Sequence, residues 1–294
     1  MSVIPHRGAD KVTVPELLSR KSSAIGSTNK KITCLTAYDY PTARILDEAG
    51  VDVVLVGDSV AMVALGYDST LPLTMDEALH HAKAARRGVK RALLVADMPY
   101  GTYHADIPEA LKNAMRFVKE AGAEAVKVEG GERRLELIAR MTEAEIPVMA
   151  HIGLTPQSVN AFGGYRVQGK TASSAEQLLR DARAVEAAGA FAIVLEGIPR
   201  ELATEITRAV QIPTIGIGAG PDCDGQILVL HDMIGLTFQA PPKFARQYTN
   251  TGEAIAAAVK EYCADVQNGS FPSDAESYHT PSDARTKKPV PISR

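Results

Sequence analysis

Five carboxylates and one histidine close short apolar runs along this chain: Asp39, Asp58, Asp97, Glu129, His151 and Glu196. A single carboxylate in such a place can simply cap the helix that follows it. Several held together repel one another unless something neutralises them, and a divalent cation is the simplest partner. Oxygen ligands without a cysteine or paired-histidine set favour a hard ion, Mg2+ or Mn2+, over zinc. Mg2+ takes one to a few carboxylates, keeps some water and accepts further oxygens from a substrate. A 2-oxo acid carries two suitable oxygens, one on its carboxylate and one on its ketone. Chelation would polarise that ketone and stabilise an enolate.

Lys127 precedes Glu129 by two residues, so on a strand both side chains project to the same face. A lysine inside a fold is costly unless it is paired or binds an anion. It could hold substrate oxygens as a cation or form a Schiff base as a nucleophile. Neighbouring carboxylates keep the amine protonated, which favours anion binding. His151 has two readings, a hydrogen-bonded structural residue or a contact to substrate.

The elements that must position these groups repeat along the chain. Apolar runs at 32–39, 51–58, 91–99, 125–131, 147–153, 192–197 and 213–218 alternate with helix-forming stretches at 76–88, 108–122, 132–145 and 174–189. Near-continuous apolar strands separated by helices indicate a parallel sheet covered on both faces. Three segments share one pattern, EAGVDVVLVGD (48–58), EAGAEAVKVEG (120–130) and AAGAFAIVLEG (187–197). Each reads helix end, glycine turn, buried strand and terminal acid. Seven strands are plain, and an eighth expected around LTFQAPPKF (236–244) completes an α/β fold of the (β/α)8 TIM-barrel class. Catalytic groups of such barrels sit where the strands end, which is where the acids fall. The rival is a doubly wound dinucleotide-binding sheet. It would rest on GIGAGPD (216–222), where Pro221 replaces the third glycine of the fingerprint. VPELLSRKSS (14–23) reads as a helix packed under the barrel. One domain is expected over residues 1–272, with a polar, proline-bearing and disordered tail at 273–294.

Composition excludes other classes. Lys and Arg total 32 against 35 Asp and Glu, a net charge of −3, with no basic excess for a phosphate backbone, so no nucleic-acid partner is expected. No apolar run reaches the ~18 residues needed to cross a bilayer, and the amino terminus has no hydrophobic signal core. Cys34, Cys223 and Cys263 are widely spaced and odd in number, which suits buried thiols in a reducing, cytoplasmic setting.

The motifs TAYDYPTARILDEAGVDVVLVGDS, LLVADMPY, VKVEGGE, HIGLTPQSVN, FGGYRVQGK, VLEGIP and PPKFARQY occur in an order that resembles the ketopantoate hydroxymethyltransferase family across about residues 12–272. The resemblance implies a barrel of the phosphoenolpyruvate mutase/isocitrate lyase type. The reaction it implies is transfer of a hydroxymethyl group from 5,10-methylenetetrahydrofolate to 3-methyl-2-oxobutanoate, giving 2-dehydropantoate in pantothenate and coenzyme A synthesis. It further implies that Asp58, Asp97 and Glu129 hold Mg2+, the two aspartates directly or through water. Asp58, Ser59, Asp97 and Lys127 would contact the oxo acid, and Glu196 would be the catalytic base. Family members form homodecamers. Residues 153–170, long and glycine-rich, are a candidate lid over the folate. Two alternatives stand beside this reading. One is an Mg2+-dependent C–C lyase of a 2-oxo or 2-hydroxy acid on the same barrel; such lyases use a loop cysteine, and no cysteine follows a strand end here. The other is an inactive scaffold, which would have no reason to keep charged strand ends.

Overall fold

Eight parallel strands close into one barrel in chain order. They are β1 (Ile32–Thr36), β2 (Val53–Val56), β3 (Leu93–Asp97), β4 (Ala125–Glu129), β5 (Val148–Gly153), β6 (Ala192–Glu196), β7 (Thr214–Ile217) and β8 (Gly225–Leu228). β8 pairs back to β1 through Ile32 and Gly225. The computed structural model describes residues 11–21, 30–238 and 240–280. Contacts divide the chain into two compact units, residues 1–248 and 249–294. The first holds the entire barrel, so the division falls ahead of the limit at 272 that the sequence suggested.

Alternation along each strand separates two apolar layers. Leu94, Ala96, Val126, Val128, Ile193 and Leu195 face outward and pack on the helices. Ile32, Leu93, Val95, Ala125, Met149 and Val194 belong to a separate cluster that fills the barrel. On β3, β4, β5 and β6 this inward register passes from apolar residues to Asp97, Lys127 with Glu129, His151 and Glu196. The lower barrel is therefore a dry core and the upper end a charged floor.

The helices are α1 (Val14–Ser19), α2 (Tyr40–Glu48), α3 (Val60–Val63), α4 (Met75–Gly88), α5 (Ile107–Ala121), α6 (Leu135–Glu143), α7 (Val159–Phe162), α8 (Ala172–Ala187), α9 (Arg200–Ala209), α10 (Leu230–Ile234) and α11 (Thr251–Asn268). Their ends follow local chemistry. Thr74 and Glu77 form a capping box on α4, Asp106 caps α5, and Gly122 ends α5 in the left-handed conformation. Helix α1 is shorter than the expected 14–23, of which residues 22 and 23 lie outside the described ones; Leu17 and Val12 join the inner barrel cluster. The second unit carries α11, whose residues are all at least partly exposed.

The eighth strand departs from expectation. It is GQIL at 225–228, and residues 236–238 and 240–244 carry no strand. The misreading has a physical cause: β7 and β8 are joined by residues 218–224 without a helix, so the strand–helix rhythm breaks there. β8 is also short, with Gln226 exposed. A Cβ at Gly225 would lie 2.5 Å from the Ile32 carbonyl oxygen, so the close β8–β1 approach selects glycine rather than an apolar run. Of the tail expectation, residues 281–294 lie outside the described residues, and 273–280 include a 3-10 turn at Asp274–Glu276. Cys34 and Cys223 are buried, whereas Cys263 on α11 is exposed, contrary to the expectation of burial.

Candidate functional site

Strand register assembles the charged floor. Asp97 of β3 lies beside Lys127 of β4, Glu129 beside His151 of β5, and Gly153 beside Glu196 of β6. Lys127 Nζ accordingly lies 3.0 Å from Asp97 Oδ1 and 3.4 Å from Glu129 Oε1. His151 Nδ1 is 3.4 Å from the same Glu129 oxygen, and its Nε2 is 3.2 Å from Glu196 Oε2. Asp58 enters just past β2: its backbone N–H donates to Asp97 Oδ2 at 3.0 Å. Ser59 follows, its hydroxyl 2.8 Å from that of Tyr38. At the end of β5, Gly153 has φ +95°, and a Cβ there would lie 2.3 Å from the Glu196 carbonyl oxygen. Glycine is what lets β5 and β6 end side by side.

Asp58, Asp97, Lys127, Glu129 and His151 are all buried, and their protonation follows from that. Burial pushes the Asp58 carboxyl well above the usual carboxylate range; Asp97 and Glu129 add to the rise, against the pull of Lys127. Asp97 is raised by burial too, with Lys127 opposing and Glu129 reinforcing. For Glu129 burial acts upward, but Lys127, His151 and the Gln157 N–H outweigh it and hold the carboxyl below its ordinary value. Burial also opposes charge on Lys127, and Asp97, Glu129 and Asp58 more than offset it, so the amine stays protonated. Against burial and the Lys127 charge, hydrogen bonding to Glu129 and Glu196 holds His151 up, to about 9. A protonated ring has no lone pair to offer Lys127, whose Nζ lies 3.2 Å from Nδ1. The two cations instead share Glu129 Oε1 between them.

Among the described residues no three His, Cys, Asp or Glu side chains form a ready cage. Mg2+ does not require one, since it binds through one or two carboxylates and completes its shell with water and substrate oxygens. Asp97 Oδ1 is buried and lacks a well-directed hydrogen bond despite its closeness to Lys127. Burial disfavours the charged form of both Asp58 and Asp97, which a bound cation would favour. An oxygen-liganded cation fits these residues.

All seven residues singled out from the sequence as site candidates (Asp58, Ser59, Asp97, Lys127, Glu129, His151 and Glu196) line one cavity of about 1090 Å³. Its upper walls include Tyr165, Val167, Ile198 and Phe244. Of the expected lid, residues 165–167 reach this wall, and the Gln168 N–H ties the loop to the Gly197 carbonyl at 2.9 Å. Asp39 does not join the site: it is exposed and caps α2, accepting from the Thr42 N–H at 2.8 Å. Neither Cys34 nor Cys223 lines the cavity.

Two site residues escaped sequence reasoning. Gln157 and Tyr103 are buried; Gln157 bonds to the Asp58 and Glu129 carboxylates, and the Tyr103 hydroxyl bonds to Gln157 and accepts the Glu129 backbone N–H. Both lie in loops past their strand ends, where no periodicity marks an inward-facing position. The signal available was their place inside long loops that follow Asp97 and His151.

A sequence profile described as Ketopantoate hydroxymethyltransferase matches residues 11–274. The chain is 58% identical over 285 residues to a Koribacter versatilis protein named 3-methyl-2-oxobutanoate hydroxymethyltransferase, covering 97% of this chain and 95% of that one. A Carboxydothermus hydrogenoformans protein of the same name is 53% identical over 92% of this chain and 96% of its own. In fold, the chain resembles the solved structure of phosphonopyruvate hydrolase complexed with oxalate and Mg2+, with TM-score 0.55, 17% identity, and coverage of 85% and 87%. It also resembles 2,3-dimethylmalate lyase, a PEP mutase/isocitrate lyase superfamily member, with TM-score 0.53, 18% identity and the same coverage.

Proposed function

The chain belongs to the ketopantoate hydroxymethyltransferase family, and from that premise we propose that it transfers a hydroxymethyl group from 5,10-methylenetetrahydrofolate to 3-methyl-2-oxobutanoate. The products are 2-dehydropantoate and tetrahydrofolate, with water supplying the hydroxyl oxygen. The observation that carries this reading is the buried floor itself, where Asp97 and Glu129 flank the Lys127 ammonium and Asp58 adjoins Asp97, under a cavity far larger than a five-carbon oxo acid.

Asp58, Asp97 and Glu129 would hold Mg2+, which when bound polarises the ketone and stabilises the enolate. Lys127, kept protonated by its acidic neighbours, binds the oxo-acid oxygens as a fixed cation. That charge state rules against a Schiff-base role. Ser59 contributes a hydroxyl to the same substrate. Glu196 takes the proton from C3 of the oxo acid; it stands at the edge of the floor, with its side chain 16% exposed to the cavity side and 3.2 Å from His151. His151 orients that carboxylate from below. The apolar wall with Tyr165 and Val167 suits the aromatic folate, and its loop would cover the reaction. The resemblance further implies self-association as a homodecamer. The three cysteines are free, which suits a reducing cytoplasm, and no helix among the described residues is long and apolar enough to cross a membrane.

The test is product formation by the purified full-length protein. Product should require both methylenetetrahydrofolate and Mg2+, with chelator abolishing turnover. Oxo-acid cleavage that ignores folate would replace this reading with a lyase, and no Mg2+-dependent binding of the oxo acid would point to a scaffold.

A further inference from the structure

Gln157 is a buried polar residue to which the mechanism above gives no role, yet its side chain bonds to one of the three carboxylates and its backbone N–H to another. Its Nε2 donates to Asp58 Oδ2 and to the Met98 carbonyl, each at 3.0 Å. Its Oε1 accepts from the Tyr103 hydroxyl at 2.7 Å. Its backbone N–H donates to Glu129 Oε2 at 3.0 Å. The Tyr103 hydroxyl also accepts the Glu129 backbone N–H, at 3.1 Å. Gln157 and Tyr103 are 5% and 3% exposed, so water cannot readily replace these bonds.

The network fixes which way the amide points. Two acceptors face the –NH2 group and the Tyr103 hydroxyl faces the carbonyl oxygen; the reversed amide would set its own oxygen against the Asp58 and Met98 acceptors. An ionised glutamate at this position has no proton to give Asp58, and asparagine has the right atoms on a stem one carbon too short. Asp58 follows β2 and Glu129 ends β4, and two buried like charges repel. One residue bonded to both restrains their separation and the direction of their oxygens. It also ties them to the start of the loop at 153–170.

We infer that Gln157, braced by Tyr103, is a positioning residue that holds the Asp58 and Glu129 carboxylates in the arrangement a divalent cation requires. This rests on the metal-dependent reading proposed above. Partners that orient metal ligands from outside typically contribute about 10–100-fold to metal affinity.

Mn2+ serves as the probe, titrated by electron paramagnetic resonance into the full-length protein with 3-methyl-2-oxobutanoate present. Gln157→Leu removes the side-chain bonds to Asp58, Met98 and Tyr103 while keeping the backbone bond to Glu129. Tyr103→Phe keeps the ring and removes only the hydroxyl. Each variant is expected to bind Mn2+ about 10–100-fold more weakly than the wild type, while Tyr103→Phe melts within a few degrees of it in the absence of metal. Wild-type Mn2+ affinity in the folded variants overturns the positioning role, as does a loss that merely tracks the unfolded fraction. Should Gln157→Leu fail to fold, Tyr103→Phe decides alone. A wild type that binds no Mn2+ removes the metal reading and the positioning role together, an outcome distinct from equal binding by all three proteins.

Discussion

The two ends of the barrel bury acids in opposite ways. At the lower end Asp52, ahead of β2, is fully buried, yet Arg20 reaches it at 2.9 Å and Arg91 at 3.3 Å, and the Thr33 N–H and hydroxyl donate to it at 3.0 and 2.9 Å. Asp224, ahead of β8, meets Lys21 at 2.9 Å and the Thr214 N–H at 2.8 Å. Burial alone would raise Asp52, but its donors more than offset that and hold its carboxyl below the ordinary value. At the upper end Lys127 pairs with Asp97 and Glu129, and His151 pairs with Glu129 and Glu196. Among the described residues Asp58 has no cation within ion-pair distance, and Asp58 and Asp97 stay above their ordinary range. The lower end is neutralised by the chain itself and serves to hold the amino-terminal segment under the barrel. The upper end leaves Asp58 without such a partner, the condition the proposed cation would relieve.

The largest expected effect belongs to the upper end. Glu196→Gln should lower deuterium exchange at C3 of 3-methyl-2-oxobutanoate by about 10²–10⁴-fold, followed by NMR in D2O without folate. Mg2+ and the oxo acid should still bind, because shape is kept and only basicity is lost. Exchange at the wild-type rate would remove Glu196 as the base, and exchange lost together with Mg2+ binding would make it a ligand.

Next comes the asymmetry of cations. Lys127→Met leaves Asp97 with no cation and only the Asp58 N–H, while Glu129 keeps His151 and the Gln157 N–H; it should cost about 3–5 kcal/mol in metal-free unfolding, as breaking a buried pair from one side does. Arg20→Met leaves Asp52 with Arg91 and the Thr33 donors, so a loss of about 1.5–3 kcal/mol is expected. Urea melts of both proteins in chelator compare them. A larger loss at Arg20 than at Lys127 would reverse the contrast between the two ends.

The smallest effect is on the acid limb of stability. The folded Asp52 carboxyl lies below its unfolded value of 3.8, so its contribution is complete above that pH and is lost as pH falls through the lower folded value. Asp52→Asn should therefore flatten the acid slope of unfolding free energy. Asp58 has the opposite sign: its folded carboxyl is raised, so the metal-free protein gives up stability as pH rises from the unfolded value toward the folded one. Unfolding free energies from pH 3 to 7 separate the two slopes, and a steeper acid limb in Asp52→Asn would contradict the assignment.

Much of this was written in the sequence. Apolar runs with period-two inward positions gave seven strands, since a barrel strand buried on both faces leaves a continuous hydrophobic signature. The same runs, ended by acids, put Asp58, Asp97, Lys127, Glu129, His151 and Glu196 at one rim, because parallel strands in a closed barrel point their carboxyl ends the same way. Asp39 shared that pattern and proved a helix cap: sequence places an acid at a strand end, whereas the path of the following residues decides whether it turns to the helix or the cavity. β8 was illegible because its glycine answers a close backbone approach rather than a hydrophobic pattern. Gln157 and Tyr103 were illegible for a related reason. Their roles arise from contacts between β2, β4 and two loops distant in the chain, and local periodicity carries no information about which loop side chain reaches across a barrel. The sequence alone determined the fold class and the charged rim. Only the closed tertiary structure decided how those charges pair, which acid is left in want of a cation, and which buried amide holds them apart.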